Sequence, residues 1–173
     1  MVVQAVADMS AAVHTAIIGC GNPNRRDDGV GVEVAQRLSR WLQAHRVSGV
    51  QAIDAGTAGM EVMFRARGSD ALIVVDANDS GSEPGAIFEV PGEELANVPE
   101  PGYNLHDFRW DHALYVGRRI FREEFPADVT VYLVEREDLS FGIGLSDPVE
   151  TAAATVVDRI IDRVRGIAGG ADA

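Results

Sequence analysis

The sequence predicts an α/β fold built on a largely parallel sheet, and three observations carry that prediction. Apolar segments of strand length alternate with segments of helical periodicity along the chain. Ala71-Leu72-Ile73-Val74-Val75-Asp76 is apolar on both strand faces, which suits a central parallel strand covered on both sides. A closing helix opens with Asp147 as N-cap, Pro148 at the first helical position and Glu150 completing an Asp-x-x-Glu capping box.

The elements follow in order. Thr15 to Ile18 reads as a short buried strand running into the turn Gly19-Cys20-Gly21-Asn22. Val30, Val34, Leu38, Trp41 and Leu42 recur at helical spacing after Asp27-Asp28-Gly29. A second strand spans about Val50 to Ala55, followed by a glycine-rich turn and a helix through Met60, Met63 and Phe64. The strand ending at Asp76 comes next, then a turn-rich loop over 77–85 and a strand from Ala86 to Val90. Pro91 to Tyr103, rich in proline and glycine, is a long irregular connection of the kind that is usually functional or mobile. Asp107 to Phe125 predicts a helix with Trp110, Ala113, Leu114, Gly117 and Phe121 on its apolar face, and Val129 to Val134 a further strand. Residues 1–14 read as an N-terminal extension, 15–167 as a single domain, and 168–173 as a disordered Gly/Ala tail.

Composition excludes several functions. At 173 residues the chain can cover a central sheet on both faces. No apolar run approaches the roughly 20 residues of a membrane span, and the first fourteen residues lack the basic and apolar regions of a secretory signal. A net charge of −12 argues against nucleic-acid binding. All 15 basic residues are arginine, so a Schiff-base lysine, a P-loop lysine and a Ser–Lys dyad are impossible. The single cysteine, Cys20, excludes a disulfide framework and a multi-cysteine metal site, and fits a cytoplasmic protein. Its place at a buried strand end suits an inert thiol.

Ligands of open α/β sheets sit beyond the carboxyl ends of the strands. Three polar features fall there: Asp27-Asp28 after the first strand, Asp76 closing the central one, and His106 before the long helix. Two carboxylates and an imidazole suit a divalent cation with open positions for water or substrate. The residues alone leave the matter open, because Asp at such positions more often caps a helix or closes a turn. His112 is the competing histidine. Gly19-x-Gly21 with Asp54 at the end of the second strand invites comparison with a dinucleotide site. Asn24 replaces the third glycine, and the carboxylates of Asp27 and Asp28 would repel a pyrophosphate at the helix mouth.

Four blocks then resemble one family. Gly19-Cys20-Gly21-Asn22-Pro23-Asn24-Arg25-Arg26-Asp27-Asp28-Gly29-Val30-Gly31 is similar to the opening G-x-G-N-x-x-x-x-D-[DE]-x-x-G block of hydrogenase maturation proteases. Asp54-Ala55-Gly56-Thr57 resembles their D-x-G-T block, and Leu72 to Ala77 their central strand ending in Asp. Gly144-Leu145-Ser146-Asp147-Pro148 resembles their late G-L-[ST]-P block with Asp147 inserted. The resemblance implies a three-layer α/β/α sandwich around a twisted five-stranded sheet. It also implies an endopeptidase that removes the C-terminal extension of a nickel–iron hydrogenase large-subunit precursor once nickel is in place. The nickel, carried by the substrate, would be met by Asp28, Asp76 and His106. Asp28 is one methylene shorter than the Glu many members carry, and Asp27 is its fallback as His112 is that of His106. Asp54, Gly56 and Thr57 fall on the same rim as candidates for peptide contact or proton transfer. A metal-independent aspartic-type peptidase using Asp28 and Asp76, and a non-enzymatic binding module for hydrogenase assembly, are the alternatives.

Overall fold

The structure, a computed structural model, describes residues 14–95 and 109–169. Strand β1 (Thr15–Cys20) is buried at every position and leads through a 3-10 turn (Arg26–Gly29) into helix α1 (Val30–Ala44). Strand β2 (Val50–Gly56), helix α2 (Gly59–Ala66) and strand β3 (Ala71–Asn78) follow. Strand β4 (Ile87–Pro91) precedes helix α3 (Trp110–Phe121), strand β5 (Asp128–Glu135) and helix α4 (Asp147–Gly169).

The five strands form one sheet in the order β2-β1-β3-β5-β4. Every pairing is parallel except that of β4 with β5, which is antiparallel at the edge. Successive side chains of a strand point to opposite faces, and here both faces are apolar. Ile17, Ile73, Val75, Tyr132 and Val134 pack with Val34 and Leu38 of α1 and Val156 and Ile160 of α4. Ala16, Ile18, Leu72, Val74 and Val131 pack with Val62 and Met63 of α2 and Trp110 and Leu114 of α3. The result is the expected three-layer α/β/α sandwich, and each fully buried Ile or Leu contributes about 1.5–3 kcal/mol to it. No helix among the described residues is long and apolar enough to cross a membrane.

One close approach governs the geometry. A Cβ on Gly31, at the start of α1, would lie 2.2 Å from the Val75 carbonyl oxygen and 2.3 Å from that of Cys20. Glycine therefore lets α1 rest directly on β1 and β3. Because α1 follows the 3-10 turn, this contact also sets the height of Asp28 above the sheet.

The structure departs from sequence expectation in places. Helix α4 starts at Asp147, and the Glu150 N–H donates to the Ser146 carbonyl (2.8 Å), so Ser146 occupies the cap position that Asp147 was expected to fill. The Glu150 carboxylate does not close a capping box; it accepts from Arg37 Nη2 of α1 at 2.7 and 2.8 Å. The helix continues to Gly169, two residues past the expected end. Helix α3 is shorter than 107–125, ending where Arg122 adopts a positive φ of 49°. Helix α2, predicted through Met60, Met63 and Phe64, meets the core through Val62, Met63 and Ala66, while Met60 and Phe64 face solvent. The N-terminal extension apart from His14, the stretch 96–108 with His106, and residues 170–173 lie outside the described residues.

Candidate active site

The strand order places β2 on one side of β1 and β3 on the other, which makes the gap between the carboxyl ends of β1 and β3 the topological switch point. A cleft of about 470 Å³ opens there, with Asp28, Asp76, Gly56, Thr57, Arg109 and Arg136 in its lining.

Asp28 comes from the 3-10 turn after β1. Gly21 makes this turn possible: its φ is +127°, and a Cβ would sit 1.7 Å from the Asp28 carbonyl oxygen. The loop folds back so that the Asn22 N–H donates to Asp28 Oδ2 (3.0 Å), and the Gly21 N–H ties it to the Gly56 carbonyl of β2 (2.8 Å). Asp28 so held lines the cleft.

Asp27 faces the opposite way. It is fully buried, and its carboxylate accepts from the backbone N–H groups of Glu137 (2.9 Å), Asp138 (2.8 Å) and Ser146 (2.7 Å) and from the Ser146 hydroxyl (2.9 Å). Burial opposes its ionisation, but these bonds outweigh it and hold Asp27 below the usual carboxylate range. Asp27 is thus a structural anchor rather than a substitute for Asp28.

Asp76 stands at the end of β3 with its side chain 13% exposed. Burial pushes its pKa up to about 6, and the charge of Asp28 pushes the same way. The Ala77 N–H, which donates to Oδ1 at 2.8 Å, and Arg109, whose Nη2 lies 3.8 Å from Oδ2, pull it down less strongly. The buried Trp110 indole N–H makes no hydrogen bond of normal geometry among the described residues, yet its proximity also favours the charged carboxylate slightly.

Asp54 is exposed at the end of β2. It accepts from the Gly56 N–H (2.9 Å) and from Gln36 Nε2 (3.2 Å), and is not among the residues lining the cleft. Its bond to Gly56 shapes the turn that brings Gly56 and Thr57 into that lining. Cys20 also lines the cleft, but burial pushes its thiol far above the usual range, as an inert cysteine requires. His112 sits in the first turn of α3 with Nδ1 3.1 Å from Asp111 Oδ1, and is not among the residues lining the cleft.

Among the described residues no group of three His, Cys, Asp or Glu side chains is arranged to hold a metal ion. Asp28 and Asp76 supply two hard oxygen donors, and the third expected donor, His106, belongs to 96–108. Sequence reasoning did not single out Arg109, Arg136, Asn78 or Asp79, all of which line the cleft. Asn78, the last residue of β3, and Asp79 after it lie two and three positions beyond Asp76, a signal that was available. Arg136 ion-pairs with Asp79 across the rim.

Comparison with known proteins identifies the family. The family model of hydrogenase maturation proteases matches residues 32–163, more than half of the chain. The chain belongs to the hydrogenase maturation protease family. Its enzymatic class is therefore that of a peptidase. A family relative from Methanocaldococcus jannaschii is 36% identical over 93 residues, and that match spans 53% of this chain and 58% of the relative. The hydrogenase 2 maturation protease of Escherichia coli is 28% identical over 151 residues, 86% of this chain and 89% of its own. The solved hydrogenase maturating endopeptidase HybD from E. coli superposes with a TM-score of 0.70 at 26% identity, covering 88% of this chain and 93% of that one.

Proposed function

We propose that this protein removes the C-terminal extension of a nickel–iron hydrogenase large-subunit precursor after nickel insertion, and that Asp28, Asp76 and His106 recognise the nickel held by that substrate. The observation that carries the proposal is the pairing of Asp28 and Asp76 across the switch-point cleft. Both carboxylates line that cleft, and the charge of Asp28 adds to burial in raising the Asp76 pKa, so a cation between them is favoured. The chain's own residues supply only part of a coordination sphere, which suits a metal that arrives already ligated by its carrier. Such docking holds the neighbouring scissile peptide where the cation polarises its carbonyl or activates a water. The inert Cys20 and the absence of lysine leave metal-assisted attack by water as the simplest chemistry for the site. The net charge of −12 disfavours nucleic acid as a partner, and the cytoplasm, where a metal-loaded precursor would be met, is the proposed location.

One observation favours a second reading. Asp76, its pKa pushed up to about 6 chiefly by burial, lines the same cleft as Asp28, and two carboxylates in one cleft suit metal-free activation of water by an aspartic-type pair. Processing assays on the nickel-loaded precursor with Asp28→Asn and Asp76→Asn test the site itself. Each should slow cleavage on the order of 100-fold or more, and full activity in both would remove the cleft from the reaction.

A further inference from the structure

The loop from Arg136 to Ser146 leaves β5 beside the cleft and is bound to the turn that carries Asp28. The Asp27 carboxylate grips it at both ends, through Glu137, Asp138 and Ser146. In between, the Arg26 N–H donates to the Gly142 carbonyl, the Gly142 N–H donates to the Asn24 carbonyl (both 3.0 Å), and Arg25 Nε donates to the Leu139 carbonyl (3.3 Å). Leu139 lines the cleft. Two and four positions further along, Phe141 is 84% exposed and Ile143 is 83% exposed, the highest exposures of any large apolar side chains among the described residues. The Arg25 guanidinium lies 5.0 Å from the centre of the Phe141 ring and helps to orient it.

A loop fixed this firmly has little entropy left to lose on binding. Paired apolar side chains held out in water mark a contact surface. We infer that Phe141 and Ile143 form a preformed docking point for an apolar patch on the folded body of the substrate, distinct from the tail that enters the cleft. This rests on reading the cleft as the cleavage site. The size of the patch chooses the occupant. Two side chains cover far less than the roughly 1,200 Å² that a stable interface buries, so they serve a partner that is also held next door in the cleft. Leu139 makes the two surfaces continuous. A second copy of this chain would be held by the patch alone.

The test compares steady-state cleavage of the nickel-loaded large-subunit precursor from the same organism by wild-type protein, by Phe141→Ser/Ile143→Ser, and by Ile120→Ser. Ile120 is an exposed apolar residue near the far end of α3 and serves as control. The double variant should raise KM roughly tenfold with kcat and melting temperature unchanged, and Ile120→Ser should behave as wild type. Wild-type cleavage with an unchanged KM in the double variant overturns the inference alone. A wild-type protein that leaves the precursor uncut overturns the cleavage reading and this inference with it. Sedimentation that shows a dimer of the free protein abolished by the double substitution assigns the patch to self-association and also overturns it.

Discussion

The Asp27 carboxylate accepts both the backbone N–H (2.7 Å) and the hydroxyl (2.9 Å) of Ser146, a residue 119 positions later in the chain. This bond joins the turn that carries Asp28 to the start of α4. It also decides which of two adjacent aspartates faces the cleft.

Removing that anchor should be costly. Asp27→Ala leaves three backbone N–H groups and a hydroxyl without their acceptor in a fully buried place, a loss of about 3 kcal/mol or more. Because the folded-state pKa of Asp27 is depressed, its stabilisation is present above the unfolded value and fades as pH falls below about 4. Thermal melts at pH 7 and pH 3.5 check both points: the gap between wild type and variant should narrow at the lower pH.

Asp76 should behave in the opposite sense. Its pKa is raised to about 6, so the folded chain holds a proton where the unfolded chain has released it. Stability from this group therefore falls as pH rises from about 4 to 6 and is flat above. Asp76→Asn removes the buried charge, keeps an acceptor for the Ala77 N–H, and should raise stability at pH 7.5 by roughly 1–3 kcal/mol while abolishing cleavage. Denaturant titrations of both proteins across pH 4–8 measure this. A variant less stable than wild type at pH 7.5 would contradict it.

Gly31→Ala should fail for steric reasons. The added methyl meets the carbonyl oxygens of Val75 and Cys20, both backbone atoms that cannot turn aside. Helix α1 must lift from the sheet, at roughly 3 kcal/mol or more, the upper end of overpacking costs. Chemical denaturation of purified variant protein gives the number, and neutral behaviour would show that the contact has room to relax.

Local patterns were legible in the sequence and long-range partners were not. The run from Ala71 to Asp76 could only be a covered strand, and the periodicity of Val30 to Leu42 fixed the inner face of α1. Nothing local announced that β5 would insert between β3 and β4 and leave β4 antiparallel at the edge, because pairing order depends on contacts across the chain. The roles of Asp27 and Asp28 were confounded for the same reason: the donors that distinguish them lie in Glu137, Asp138 and Ser146. The capping box at α4 had the right residues, but Arg37 outcompeted the helix end for Glu150. Which face of α2 would be buried was not assigned from the sequence, and Phe64 turns outward to meet Phe121 edge-on.

Glu135 escaped notice in the sequence altogether. It is buried, and its carboxylate gathers the backbone N–H groups of Ser80, Gly81 and Ser82 together with Asn78 Nδ2 and the Ser80 hydroxyl. Burial opposes its charge and these donors overcome that, holding its pKa below the ordinary value. Glu135→Gln points an amide N–H at groups that are themselves donors. Amide hydrogen exchange should then speed by roughly tenfold or more at Ser80, Gly81 and Ser82, with β1 unchanged. Equal protection in both proteins would mean that the loop holds itself.

The central claim is that Asp28, Asp76 and His106 read nickel on the substrate. It is tested most directly by the cleavage rate of wild-type protein on the same large-subunit precursor prepared with and without nickel. Cleavage of the loaded form and none of the empty one is the expected result. Equal cleavage of both would contradict it and leave Asp28 and Asp76 as a metal-independent pair.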